Sequence, residues 1–294
     1  MGLELHGTRV VGASHAMRHL IATLADGREA FVKQATSSDQ AAELAAEANG
    51  LRWLAEPGVI PVPGVVAVDD EALVIEMLPP GHPTREAARD LGTALARLHN
   101  AGAPSFGAPW TGFIAGLPLP NSPPGEAVPG TRPGTPDATA GLPGQPWGTW
   151  FVRCRIMPYV VLARDRAGLS RADARVVAAA VARIGDIAGP PEPPARIHGD
   201  LWSGNVYWSG GKGWLIDPAA HGGHRETDLA MLALFGAPYL NEILAAYQAM
   251  TPLADGWRAR VPLHQLHPLL VHACLFGEPY GAQAAAAARA ALAA

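Results

Sequence analysis

Apolar and polar residues change their period along this chain, and the change divides it. Near the start the period is two. His19-Leu20-Ile21-Ala22-Thr23-Leu24 and Glu29-Ala30-Phe31-Val32-Lys33 alternate on either side of Ala25-Asp26-Gly27-Arg28, which predicts an antiparallel hairpin. Residues 38 to 55 switch to helical spacing, with Ala41, Leu44, Ala48, Leu51 and Leu54 recurring among strong helix formers. Pro61, Pro63 and Gly64 confine residues 59 to 68 to a loop or sheet edge. A further strand, Ala72-Leu73-Val74-Ile75-Glu76-Met77-Leu78, ends at Pro79-Pro80-Gly81.

Beyond it helical spacing dominates. Thr84 can cap a helix reaching about residue 99, with Ala88, Leu91, Leu95 and Leu98 as its apolar stripe and Gly102 as its stop. Helical patterning resumes over residues 147 to 163, where Pro158 predicts a kink. Ser170 with Asp173 caps a helix over 171 to 188, closed by Gly189 and Pro190-Pro191-Glu192-Pro193-Pro194. The alanine-rich tail from Ala282 predicts a helix prone to fray. Between these helices, residues 104 to 146 are crowded with proline and glycine and lack periodicity. Within that stretch, residues 122 to 145 bury too little apolar surface to offset their ordering entropy, so a mobile loop is expected there.

Composition narrows the function. A chain of 294 residues suits one large core or two modest ones. A formal charge of −4 argues against nucleic acid as the main partner, since a nucleic-acid binder needs a basic face. Cys154 and Cys274 form neither a disulfide framework nor a metal-ligand spacing and read as reduced core thiols. No apolar run has the roughly 18 residues of a membrane span, and no signal pattern opens the chain. A soluble cytoplasmic protein is expected, with no membrane partner; the oligomeric state stays open.

The chemistry concentrates in RIHGDLWSGNVYWSGGKGWLIDPAAHGGHRETD, residues 196 to 228. Val206-Tyr207-Trp208 and Gly213-Trp214-Leu215-Ile216 flank Ser209-Gly210-Gly211-Lys212, a hairpin pattern that folds the chain back. Asp200, Asn205 and Asp217 then converge. One carboxylate to take a hydroxyl proton, with an asparagine oxygen and a second carboxylate for Mg2+, is the donor set of phosphoryl transfer from a nucleotide. In this reading Asp200 is the base and Asn205 and Asp217 hold the metal. Elsewhere roles stay open. Lys33 is a solvated strand end or a phosphate contact, with Glu43 and Glu47 as candidate partners on the next helix. Val11-Gly12-Ala13-Ser14-His15-Ala16 is an ordinary turn or a phosphate-covering loop using Ser14. Glu76, Met77 and Leu78 end a plain strand or meet an adenine edge. His221, His224 and Glu226 invite a zinc reading that fails for want of a third ligand or helical register, and His264, His267 and His272 read as packed or exposed singly. Arg153 and Arg155 read as surface pairing.

HGDLWSGNVYW followed by LIDPAAHGGHRETDLAMLALFG resembles the fructosamine kinase (ketosamine 3-kinase) family, a branch of the protein-kinase-like fold that includes aminoglycoside and choline kinases. Trp202-Ser203-Gly204 and residues 225 to 231 carry the resemblance to that branch. It implies an α+β, bilobal protein-kinase-like fold: an N-lobe of antiparallel sheet plus helix over residues 1–78, and a larger, mainly helical C-lobe over 79–294. It also implies ATP and Mg2+ as cofactors and a small-molecule or protein-bound ketosamine as substrate, phosphorylated on its 3-hydroxyl in deglycation repair. An aminoglycoside- or choline-kinase-like acceptor, or a nucleotide-binding pseudokinase, are the alternatives. By resemblance Glu47 partners Lys33 while Glu43 is solvated, His198 and Asp228 support the catalytic loop, and Trp202, His221 and His224 line the acceptor pocket. Residues 122 to 145 depart from the family as an insertion.

Overall fold

A computed structural model describes residues 5–14, 17–122 and 146–294. The first part is a five-stranded antiparallel sheet built from β1 (Leu5–Ser14), β2 (Met17–Leu24) and β3 (Glu29–Gln34), then, after helix α1 (Ala41–Ala55), β4 (Val65–Val68) and β5 (Ala72–Glu76). The spatial order is β1-β2-β3-β5-β4, so β3 is central and the proline-flanked β4 forms an edge. The period of two explains its packing. Ala30 and Val32 join Leu20, Ala22, Leu24 and Val74 on one face. On the other, Leu73 and Ile75 pack with Phe31 on Leu44, Ala48 and Leu51 of α1. Lys33 shares the parity of Phe31 and therefore faces the helix.

One expectation fails in this sheet. Val11 to Ser14 are strand rather than loop, because β1 continues its pairing to Ser14↔Met17 through an irregularity between Val10 and Gly12. Residues 15 and 16 lie outside the described residues.

The remainder is mainly helical. In α2 (Arg85–Asn100), Thr84 Oγ1 accepts from Ala87 N at 3.1 Å. Its stripe of Ala88, Leu91, Leu95 and Leu98 is buried in a core shared with later elements, including Ile243 and Tyr247. A short hairpin follows, β6 (Gly112–Ile114) and β7 (Leu117–Leu119), turned by Ala115 and Gly116, both at positive φ. After the insertion come α3 (Trp147–Phe151), a five-residue π turn (Val152–Ile156) and α4 (Met157–Asp165). The wide turn sits where Pro158 can donate no backbone hydrogen bond, the predicted interruption. The helix expected over 171 to 188 is instead two, α5 (Arg171–Ala182) and α6 (Ile184–Ile187). Arg183 leaves the helical region at φ −103°, ψ 10° just before Gly185, whose backbone freedom weakens any continuation.

Strand β8 (Ala195–Ile197) leads into the motif, and β9 (Val206–Ser209) and β10 (Lys212–Leu215) form the predicted hairpin, with Gly210 and Gly211 both at positive φ. Strand β11 (His221–Gly223) returns antiparallel to β8. Helices α7 (Arg225–Leu234), α8 (Leu240–Met250), α9 (Trp257–His264), α10 (Leu266–Phe276) and α11 (Glu278–Ala293) complete the chain. Where a fraying tail was expected, α11 buries Ala284, Ala285, Ala288 and Ala291. Small side chains allow close helix approach, and that packing holds the end in place. Among the described residues, no helix is long and apolar enough to cross a membrane.

Candidate active site

Two cavities meet between the sheet and the helical part, and Lys33 and Asp217 are the residues they share. One, of about 410 Å3, is lined by apolar residues including Ile21, Phe31, Ile75 and Ile216, together with Glu76, Met77, Leu78 and Tyr207. The other, of about 280 Å3, is lined by Ser14, Glu43, Glu47, the Phe113–Gly116 tip of the β6–β7 hairpin, Asp200, Trp202 and Asn205.

Lys33 is 6% exposed and bridges two acids. Its Nζ donates to Glu47 Oε2 at 2.8 Å and to Asp217 Oδ1 at 2.6 Å. Burial would lower the lysine, but the charges of Glu47 and Asp217 overcome it and raise it. Burial pushes the Glu47 carboxyl up to about 7 against the opposing pull of Lys33. Glu47 Oε1 is buried without a hydrogen-bond partner. Glu43, expected in solvent, is half-buried one turn earlier and lines the second cavity.

The loop between β8 and β9 is held from behind. Asp228, at the first turn of α7, accepts from the backbone nitrogens of His198 at 2.8 Å and Gly199 at 3.0 Å, and contacts His99 Nε2 at 3.2 Å. Burial alone would raise this carboxyl; the hydrogen bond and charge of His99 and the contacts with His198 hold it below its usual range. Burial lowers His198, so its imidazole is neutral at pH 7. As a single tautomer it donates from Nε2 to Ile216 O at 2.8 Å and accepts at Nδ1 from Asp200 N at 3.2 Å. The histidine thus fixes the spacing between the segments that carry Asp200 and Asp217.

Asn205 Nδ2 donates to Asp200 O at 2.8 Å, Asp200 Oδ2 at 3.3 Å and Asp217 O at 3.5 Å. That leaves Oδ1 as the acceptor available to a cation. Asp217 itself sits at φ +52°, a left-handed conformation that aspartate tolerates better than most residues. Burial and the nearby Asp217 charge push the Asp200 carboxyl up to about 7. These two carboxylates, beside an amide oxygen, form a hard-oxygen donor set suited to magnesium.

Not every predicted site residue reaches this cleft. Trp202 lines it, 40% exposed. His221 and His224 do not: the first is buried in β11 and the second caps α7. Their exclusion follows from β11 pairing with β8, which draws the chain behind the loop. His224, Glu226 and His264 instead gather with potential ligand atoms within 4.8 Å of one another. Sequence spacing missed this grouping because α9 supplies His264. Arg260 occupies both Glu226 oxygens, at 2.6 and 2.9 Å, which makes the group an ion-pair network already neutralised. Arg155, expected at the surface, is 1% exposed. The sequence reading gave the β6–β7 tip and Tyr207 no place in the site, since no side-chain chemistry there signals one. Residues 123–145 of the predicted insertion lie outside the described residues.

The sequence model described as fructosamine kinase matches residues 4–125 and 142–294, interrupted within the segment expected as an insertion. A protein from Enterococcus faecium named "Probable ketoamine kinase" is 33% identical over 81% of this chain and 79% of its own. A solved structure from Thermobifida fusca, provisionally called a fructosamine-3-kinase, is 45% identical, covers 100% of this chain and 96% of its own, and superposes with a TM-score of 0.88. The choline kinase LicA from Streptococcus pneumoniae shares the fold, with a TM-score of 0.61 at 16% identity over 99% of this chain and 94% of its own. With the kinase-like fold and nearly the whole sequence matched, the chain belongs to the fructosamine kinase family.

Proposed function

We propose that this protein transfers the γ-phosphoryl group of ATP to the 3-hydroxyl of a ketosamine, a sugar–amine adduct formed by glycation. The observation that carries the reading is the meeting of Lys33, Glu47, Asp200, Asn205 and Asp217 at the junction of the two cavities. The larger, apolar cavity suits a nucleoside. Exposed backbone groups at Glu76 to Leu78 would bind the adenine edge, and Lys33 would steady the phosphates. Asn205 Oδ1 and the Asp217 carboxylate would hold magnesium, which neutralises phosphate charge when bound. On the other side, Asp200 accepts the proton of the attacking hydroxyl while Trp202 and the β6–β7 tip flank the sugar. Phosphorylation of that hydroxyl would promote release of the adduct from its amine.

Catalysis here is positioning and charge neutralisation rather than covalent chemistry by the protein. The test is ATP consumption with a panel of ketosamines, aminoglycosides and choline, and phosphorus NMR to locate the ester. Turnover confined to ketosamines, with a 3-phosphate product, is expected. Turnover with choline or an aminoglycoside alone would reject the assignment.

A further inference from the structure

A second cluster of polar side chains lies behind the catalytic loop, outside both cavities. Its centre is Arg155, whose guanidinium carbon stacks 4.4 Å from the Trp150 ring centroid. Every acceptor it reaches is neutral: Pro120 O, Cys154 O at 3.2 Å and Asn121 Oδ1 at 3.3 Å. Its Nε–H is buried without a hydrogen-bond partner, and so is Nε2 of His267. Both side chains line one small cavity of about 10 Å3, together with His221, Gly199 and Gly223.

The electrostatics of this pocket are one-sided. Burial draws the Arg155 guanidinium down to about 10, which leaves it charged at neutral pH. Burial, with the repulsion of Arg155, holds His221 and His267 well below the usual histidine range, so both are neutral. No ion pair with a carboxylate answers the arginine charge among the described residues. A buried charge with no counter-charge is costly, and an unanswered donor beside it adds to the cost.

We propose that this cavity binds a single monatomic anion of chloride size, held by Arg155 Nε–H and by His267 in its Nε2-protonated tautomer. The volume has room for the centre of one water-sized particle, which excludes sulfate, phosphate and any nucleotide. Water fits the space but leaves the guanidinium charge unanswered; an anion satisfies both donors and the charge. The occupant would lie next to the motif, because the His221 ring packs directly on Gly199, where an added Cβ would come within 2.9 Å of its Cε1. His221 is itself fixed by a hydrogen bond from Nδ1 to Ala219 O at 2.7 Å. The ion would therefore tie the π turn and α10 to the back of the catalytic loop.

Crystals grown in sodium bromide test the site directly. An anomalous peak within hydrogen-bonding distance of Arg155 Nε and His267 Nε2 is expected; density of water strength without an anomalous signal overturns the proposal. In solution, chloride is compared with gluconate, too large for the cavity, at equal ionic strength. The wild type should melt at least about 2 °C higher in saturating chloride. Arg155→Met should lose that difference, and His267→Gln, which keeps the arginine and the packing more nearly intact, should weaken halide affinity about tenfold or more. Equal melting in both salts overturns the site, as does a halide response that survives in Arg155→Met. A bromide peak without stabilisation would mean binding at crystal concentration only, and would also overturn it.

Discussion

Asp200 and Asn differ by one oxygen, and the Asn205 amide that donates to Asp200 Oδ2 at 3.3 Å would find an acceptor in either. Asp200→Asn should therefore keep the loop in place and remove only the proposed base. Turnover should fall by about 10²–10⁴ with little change in MgATP affinity, as steady-state rates and calorimetry would measure; wild-type turnover in this variant would reject the role. Asp217→Ala acts differently, because it removes both a proposed metal ligand and one of the two acids on Lys33. Calorimetry should show weakened nucleotide binding in magnesium, and a smaller loss without it. These residues could be read from the sequence because Asp200, Asn205 and Asp217 lie close together along the chain and their chemistry is specific. Arg155 could not, since an arginine in a helical run looks exposed until the carbonyls of Pro120 and Cys154 are seen around it.

At the scale of elements, α2 and α8 meet where Gly92 faces Ile243, and a Cβ on Gly92 would lie 2.2 Å from Ile243 O. Backbone cannot yield as a flexible side chain can. Gly92→Ala should lower stability by roughly 1–3 kcal/mol through overpacking, read as a reduced denaturation midpoint, despite the better helix propensity of alanine. A midpoint raised by the substitution would show that the helices separate freely. The Glu226–Arg260 pair joins α7 to α9 in the interior. Burial would raise Glu226, but His264 and Arg260 outweigh it and bring the carboxyl down to about 2. Burial lowers His264, which is neutral at pH 7, so the guanidinium carries the charge compensation. Glu226→Gln should cost about 3–5 kcal/mol at pH 7 by leaving Arg260 buried and unpaired. The sign with pH is fixed by the depressed carboxyl: its contribution is complete above the ordinary glutamate range and is lost as pH falls toward about 2. The gap between wild type and variant should narrow over that interval, and a gap that widened in acid would refute the pairing. Element positions were legible wherever the apolar period was clean. The break at Arg183 and the meeting of His224 with His264 were not, because the first turns on one backbone angle and the second on which helices cross.

For the whole molecule, sequence period separated sheet from helices, and the motif marked the candidate site on the sheet-facing side of the helical part. It could not show that the β6–β7 tip would reach across to α1, where Gly116 lies near Glu43. That approach depends on the packing of distant segments. It also bounds the second cavity, so the lining of that cavity comes from the sheet, α1, the β6–β7 tip and the motif, stretches far apart along the chain.

The sharing of just Lys33 and Asp217 between the two cavities has a kinetic consequence. With nucleotide and acceptor placed in separate chambers as proposed, neither would have to leave before the other arrives, and no phosphorylated form of the enzyme would be required between them. Initial-rate lines at varied concentrations of both substrates should intersect in reciprocal plots. Parallel lines would point to a ping-pong route, which this pair of adjoining chambers gives no reason to adopt.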